Sequence, residues 1–242
     1  MTPNKKSQIS AFLFLSMLLL FILLILFYYS FSSKSKPELE FRAGSISDYI
    51  DLCLMKTSND ALFLLGKQGG YLTPLEYIAA GGHNVSYLLI GGVNKVPRKE
   101  IMEKELSDYI NSNLISCLVD FRAFKDKKWR VDYTIPNTTA KISIQDVYFT
   151  SIFHVTVVQE FTHLSFEKFT YSSKVRLQKI SELSESIVNF SVSNPNSVDM
   201  TDLSDNDFEI TVFPYEKKLI YSVKDRKFQL NGKDYMFNFA IG

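Results

Sequence analysis

From Ile9 to Phe31 the chain runs 23 residues without a charge, interrupted only by Ser10, Ser16 and Ser30. About 20 helical residues cross a bilayer core, so this stretch predicts one transmembrane helix. Tyr28, Tyr29 and Phe31 stand at its far end, where aromatic rings gather at a lipid–water boundary. Residues 1–8 form a short tail before it. Residues 32–44, rich in Ser, Lys, Pro and Glu, read as a linker. Residues 45–242 then make one domain. The apolar core of a cleaved secretory signal spans roughly 7–15 residues, which is shorter than this run. Ser30 and Ser32 nevertheless offer small residues for cleavage, so a removed signal stays an alternative.

Beyond the linker the periodicity is helical. Ser45-x-x-Asp48 has the form of a capping box, and Ile46, Ile50, Cys53, Leu54, Ala61, Leu64 and Leu65 recur at helical spacing. Gly66 to Gly70 supply the stop, because glycine takes the left-handed geometry of a C-cap. A second helix follows Pro97. It carries Met102, Leu106, Tyr109, Ile110, Asn113 and Cys117 on one face and a Glu100–Lys104 pair on another. After Phe124 the period falls to two. KWRVDYTI, TAKISI and VYFTSIFHVTVV predict a strand meander, with one more strand around HLSFEKF. Residues 174–190 return to helix, with Leu177, Ile180, Leu183, Ile187 and Phe190 on one side. FEITVFPY, KLIYSVKD and DYMFNFAI end the chain as strands, the last two joined through Asn231-Gly232. Helices and strands come in blocks, so the predicted class is α+β: helices plus an antiparallel sheet.

Twenty Phe and thirteen Tyr strengthen the sheet expectation. Charge separates the two parts. Lys5, Lys6, Lys34 and Lys36 flank the apolar run, and the net charge is +1 overall; from residue 37 onward 23 basic residues face 26 acidic ones. A mildly acidic domain argues against nucleic acid as a partner. The flanking lysines suit lipid headgroups, so the membrane itself is the expected partner of the N-terminal helix. Lysines stand on both sides of the run, which leaves the positive-inside count nearly tied. A short tail before a long domain favours the N-terminus inside and the domain outside. The sequons at Asn84, Asn137 and Asn189 agree with export but recur readily by chance in an Asn-, Ser- and Thr-rich chain.

Signs of catalysis are sparse. His83, His154 and His163 are scattered, and no GxSxG, HExxH or Walker-type loop occurs. No cofactor, metal or catalytic residue is predicted. Asp199, Asp202, Asp205, Asp207 and Glu209 make an acidic loop, with Glu216 beyond it. Ile210 occupies the place where a calcium loop needs Gly, so this reads as solvated. Cys53 and Cys117 are the only cysteines. An even count in an exported domain favours a disulfide, with two small core residues or a reactive thiol as the alternatives.

Seven of the ten glycines lie between Gly66 and Gly92, three times as Gly-Gly. Turn chemistry is one reason for such clustering. The other is a surface thin enough for a backbone or a glycan to approach closely. That surface comprises Gly69, Gly70, Tyr71, Tyr77, Gly81, Gly82, Tyr87, Gly91 and Gly92, with the tyrosines as aromatic contacts.

The ordered segments DLCLMKTSNDALFLLGKQGGYL, VNKVPRKEIMEKELSDYINSNLISCL and DYMFNFA resemble a group of uncharacterised archaeal single-pass envelope proteins. The resemblance covers nearly the whole chain. It implies the anchor, an exported domain and pairing of Cys53 with Cys117, and it carries no catalytic residue. The N-terminus is also similar to an archaeal pilin-like signal, in that Lys5-Lys6-Ser7-Gln8-Ile9-Ser10 precedes the apolar run. Phe12 stands where such pilins have Glu, and Pro37 would end a stalk soon after the membrane. The expected function is therefore a non-enzymatic envelope protein with a protein or glycan partner. The alternatives are a pilin-like filament subunit and an enzyme of unrecognised type.

Overall fold

A computed structural model describes residues 17–24 and, from Ile46 to Gly242, all except 119–120, 122–123, 125–128, 160–161, 196, 198–206 and 217. The chain divides into two units, residues 1–43 and 44–242. In the first, residues 17–24 form a helix (α1) whose side chains are all exposed, from Ile22 at 47% to Met17 at 75%. The remainder of the 9–31 span, the 1–8 tail, the 32–44 linker and Ser45 of the capping box lie outside the described residues. No helix among the described residues is long and apolar enough to cross a membrane.

The second unit is α+β, with helices α2 (Ile46–Lys67), α3 (Lys99–Leu118) and α4 (Leu177–Ser193). In place of the one antiparallel sheet expected there are two sheets, and one strand pair is parallel. The first sheet runs β1 (Tyr77–Ala80), β2 (His83–Ile90), β10 (Lys233–Ile241), β9 (Lys218–Leu230), β8 (Phe208–Tyr215), with β3 (Val93–Asn94) also paired to β2. β10 lies antiparallel to β9 but parallel to β2, Ala240 opposite Tyr87. The last strand of the chain is thus an interior strand. Its Phe237, Phe239 and Ala240 are fully buried, which fits the near-continuous apolar run of DYMFNFAI. In the second sheet β6 (Val147–Gln159) is central. It pairs with β7 (Thr162–Ser173) over its length and with β5 (Asn137–Ile142) and β4 (Arg130–Tyr133) in succession.

α2 packs against α3, against β7 of one sheet and against β10 of the other. A helix enclosed on several sides buries more than one stripe. Leu62, absent from the predicted stripe, is fully buried, while Leu64 is only half-buried. Thr57, Ser58 and Asn59 are buried as well. Asn59 joins the two sheets: its Nδ2 donates to Asn231 Oδ1 (2.9 Å), and its Oδ1 accepts from the Tyr171 hydroxyl (2.8 Å). Gly66 lets α2 approach β10, since a Cβ there would stand 2.5 Å from the Met236 carbonyl oxygen.

The buried face of α3 is Met102, Glu103, Leu106, Ile110, Leu114 and Leu118. Tyr109 and Cys117 are half-buried and Asn113 is exposed, so the predicted face was rotated by part of a turn. Lys104 pairs with Asp108 (2.5 Å) and not with Glu100. The rotation brings a polar row to the edge of β5. Glu103 Oε1 accepts from the Ile142 N–H (2.9 Å), Ser107 Oγ from the Ala140 N–H (2.9 Å) and Asn111 Oδ1 from the Thr138 N–H (2.7 Å). Four helical residues advance about 6.0 Å and two strand residues about 6.8 Å, so side chains at i, i+4, i+8 meet every second amide. An edge open to pairing with another chain is thereby covered. On α4 the buried positions are Leu177, Ile180, Ser184, Ile187 and Val188, while Leu183 and Phe190 are half-buried.

Candidate functional site

α2 ends with the Gly70 N–H donating to the Leu65 carbonyl (2.9 Å), and Gly69 and Gly70 hold φ of 70° and 89°. This is the closing bond of a Schellman motif. Both glycines are buried. A Cβ on Gly70 would lie 2.6 Å from Pro97 Cγ, and one on Gly69 would lie 2.8 Å from the Asn238 carbonyl oxygen. Their smallness is used by the interior. Gly81–Gly82 and Gly91–Gly92 close the β1–β2 and β2–β3 hairpins, with φ of 59°, 78°, 57° and 76° and open space around each. Two successive positive φ values define the type I′ turn that matches strand twist.

The turn at Gly69–Gly70 launches the 71–76 loop, which is pinned at both ends. Gln68 Nε2 donates to the carbonyls of Tyr71 (3.1 Å) and Leu72 (2.8 Å), and Glu105 of α3 accepts the Leu72 N–H. The Tyr71 hydroxyl donates to the Lys95 carbonyl (3.0 Å), and the Lys95 ammonium pairs with Glu76. β2 then lays Ser86 and Tyr87 beside the loop, and Ser86 donates to the Gln68 carbonyl. The result is a pocket of about 350 Å³ lined by Tyr71, Thr73, Pro74, Leu75, Glu76, Ser86, Tyr87, Lys95 and Glu105. Small-molecule sites start at about 300 Å³ and combine apolar walls with a few polar groups. Burial, and then the Glu105 charge, push the Tyr71 phenol above its ordinary pKa, so it stays a neutral donor. Leu75 at the lip is 96% exposed.

Of the predicted surface residues, Tyr71 and Tyr87 come together in this pocket. Tyr77 is exposed on β1 outside the lining, and the four hairpin glycines sit at turns. Sequence reasoning missed Glu76, Lys95 and Glu105. They are up to 29 positions apart and share no spacing signal; only the packing of α3 on the loop unites them.

Cys53 and Cys117 are bonded, joining α2 to α3 with their Cα atoms 5.6 Å apart. The Tyr49 hydroxyl donates to the carbonyls of Cys117 (2.9 Å) and Leu118 (2.8 Å), capping α3 beside the bond. On β6 and β7 a second polar group appears. His154 Nδ1 stands 3.4 Å from Glu167 Oε1, and its Nε2 stands 3.4 Å from Ser165 Oγ. The order is that of a nucleophile, base and acid. It lies in water on an open strand pair, His154 being 49% and Glu167 77% exposed. Ser165-x-Glu167 is legible in sequence, but the cross-strand position of His154 is not. Within the acidic loop, 199–205 lie outside the described residues, while Asp207 is bound by Arg176 and Lys227. Among the described residues no group of three or more His, Cys, Asp or Glu is placed to hold a metal ion. No family model, curated protein or solved structure matches the chain.

Proposed function

We propose that the chain is a single-pass, membrane-anchored envelope protein of the archaeal kind, N-terminus inside and residues 45–242 outside, whose domain is a non-enzymatic binding module. The observation that carries the binding assignment is the pocket walled by Tyr71 and Tyr87 on a pinned loop. Two features support the location. The 9–31 run has the length and composition of a membrane helix, and the Cys53–Cys117 bond is of the kind that persists in oxidising compartments. Protease added to intact cells whose outer layer has been opened is expected to degrade the domain and spare the anchor. Protection until the membrane is lysed would overturn the outward orientation.

The enzyme alternative has one observation in its favour, the Ser165–His154–Glu167 alignment. Labelling of the folded protein by a fluorophosphonate, lost in Ser165→Ala, would replace the binding module with a hydrolase. The pilin-like alternative would be favoured by filaments built around a bundle of the N-terminal helices.

A further inference from the structure

Resting on the binding-module reading, we infer that the pocket beside Tyr71 and Tyr87 takes a neutral carbohydrate, a short oligosaccharide without acidic groups. The charge arrangement is the first argument. Lys95 holds Glu76, and Glu105 holds the Leu72 amide. An anion entering the pocket meets the Glu76 and Glu105 carboxylates, and a cation competes with Lys95 for Glu76. A neutral ligand meets neither obstacle.

The second argument is the mixture of surfaces. Tyr71, Pro74 and Leu75 present carbon, while Thr73, Ser86 and the carboxylates present oxygen; the Tyr87 ring packs instead on Val85, Ile220 and Ala240. A pyranose has the same division, with a C–H face that lies on aromatic rings and a rim of hydroxyls that donate to carboxylates and accept from hydroxyls. Rigidity is the third. The loop is held at its start, Tyr71 and Leu72, by Gln68 and Glu105, and at its end by the Tyr87 N–H donating to the Glu76 carbonyl (3.0 Å). A preorganised loop loses little freedom on binding, which matters for weakly binding sugars. The competing occupant, an extended peptide added to the outer edge of β1, finds a strand of only four residues there.

The test uses the full chain in a sugar-free detergent. A glycan array carrying neutral hexose and N-acetylhexosamine oligosaccharides, beside sialylated and sulfated ones, is followed by calorimetry with the strongest binder. Neutral oligosaccharides are expected to bind, with the Kd moving by less than about twofold as salt screens charge between roughly 0.05 and 0.5 M. Tyr71→Ala, which removes the aromatic wall, should weaken binding about tenfold or more. Leu75→Ser, at a position too exposed to disturb folding, should weaken it by about threefold. Four results would overturn the assignment: binding confined to acidic glycans with steep salt dependence, unchanged affinity in both variants, a silent array with folded protein, or capture of extended peptides in place of sugars. A silent array together with a protease-accessible domain sinks the carbohydrate alone; sugar binding by a protease-protected domain sinks the orientation alone.

Discussion

Arg176, just before α4, is a residue whose removal should strongly destabilise the fold. It is 6% exposed and forks onto Asp225 of β9, Nε to Oδ2 at 2.9 Å and Nη2 to Oδ1 at 2.6 Å, while Nη1 reaches Asp207 Oδ2 at 2.6 Å. Its guanidinium also lies 4.6 Å from the Phe208 ring centroid. In Arg176→Ala, Asp207 keeps Lys227, but the fully buried Asp225 carboxylate loses both guanidinium bonds and retains the Lys227 amide at 2.8 Å. Breaking one side of a buried pair costs about 3–5 kcal/mol. For a domain of this size that corresponds to a fall of roughly 6–20 °C in Tm. Thermal and urea unfolding followed by circular dichroism, with the disulfide intact, measures both. The double variant Arg176→Met/Asp225→Leu leaves no buried charge unpaired, so it should recover most of the loss. Acid adds a second signature. The Lys227 ammonium, then Arg176, hold the Asp207 carboxyl down to about 2, below its ordinary 3.8. Its contribution is therefore full above pH 3.8 and disappears as pH falls through about 2. In Arg176→Ala this acid-dependent part should shrink without vanishing, because Lys227 remains. A loss under about 1 kcal/mol, or a double variant no more stable than Arg176→Ala, would refute the reasoning.

Ser107→Ala strips the Ala140 amide of its acceptor at the covered edge of β5, and should cost about 1–3 kcal/mol with faster hydrogen exchange at that amide. Gly66→Ala should lower the Tm more than Gly81→Ala, since only the former drives a Cβ into backbone; Gly81→Ala costs about 1–2 kcal/mol for its left-handed conformation, and Gly81→Asn less. Replacing both cysteines by Ala removes a 64-residue closure and should cost about 4 kcal/mol in urea unfolding. A free-thiol assay on the native protein should read no reactive cysteine.

Sequence alone determined the local conformations. The period-two runs became β4 to β10 within a few residues, and Gly81-Gly82, Gly91-Gly92 and Asn231-Gly232 became type I′ turns while Gly69-Gly70 ended α2. Strand pleating and positive φ depend on neighbouring atoms of the same segment, so they are written where they occur. Tertiary structure decided the rest. Nothing in DYMFNFAI announces that it lies beside β2, more than 140 residues earlier, or that this pair is parallel. The face of α3 shows the limit most clearly. Glu103, Ser107 and Asn111 look like solvated polar residues until β5 arrives with three amides at matching spacing. The cysteines were visible while their bonding was open, and the pocket residues Glu76, Lys95 and Glu105 carried no shared pattern. Long-range contacts are selected by the summed burial and hydrogen bonding of the assembled elements, a quantity that no single segment contains.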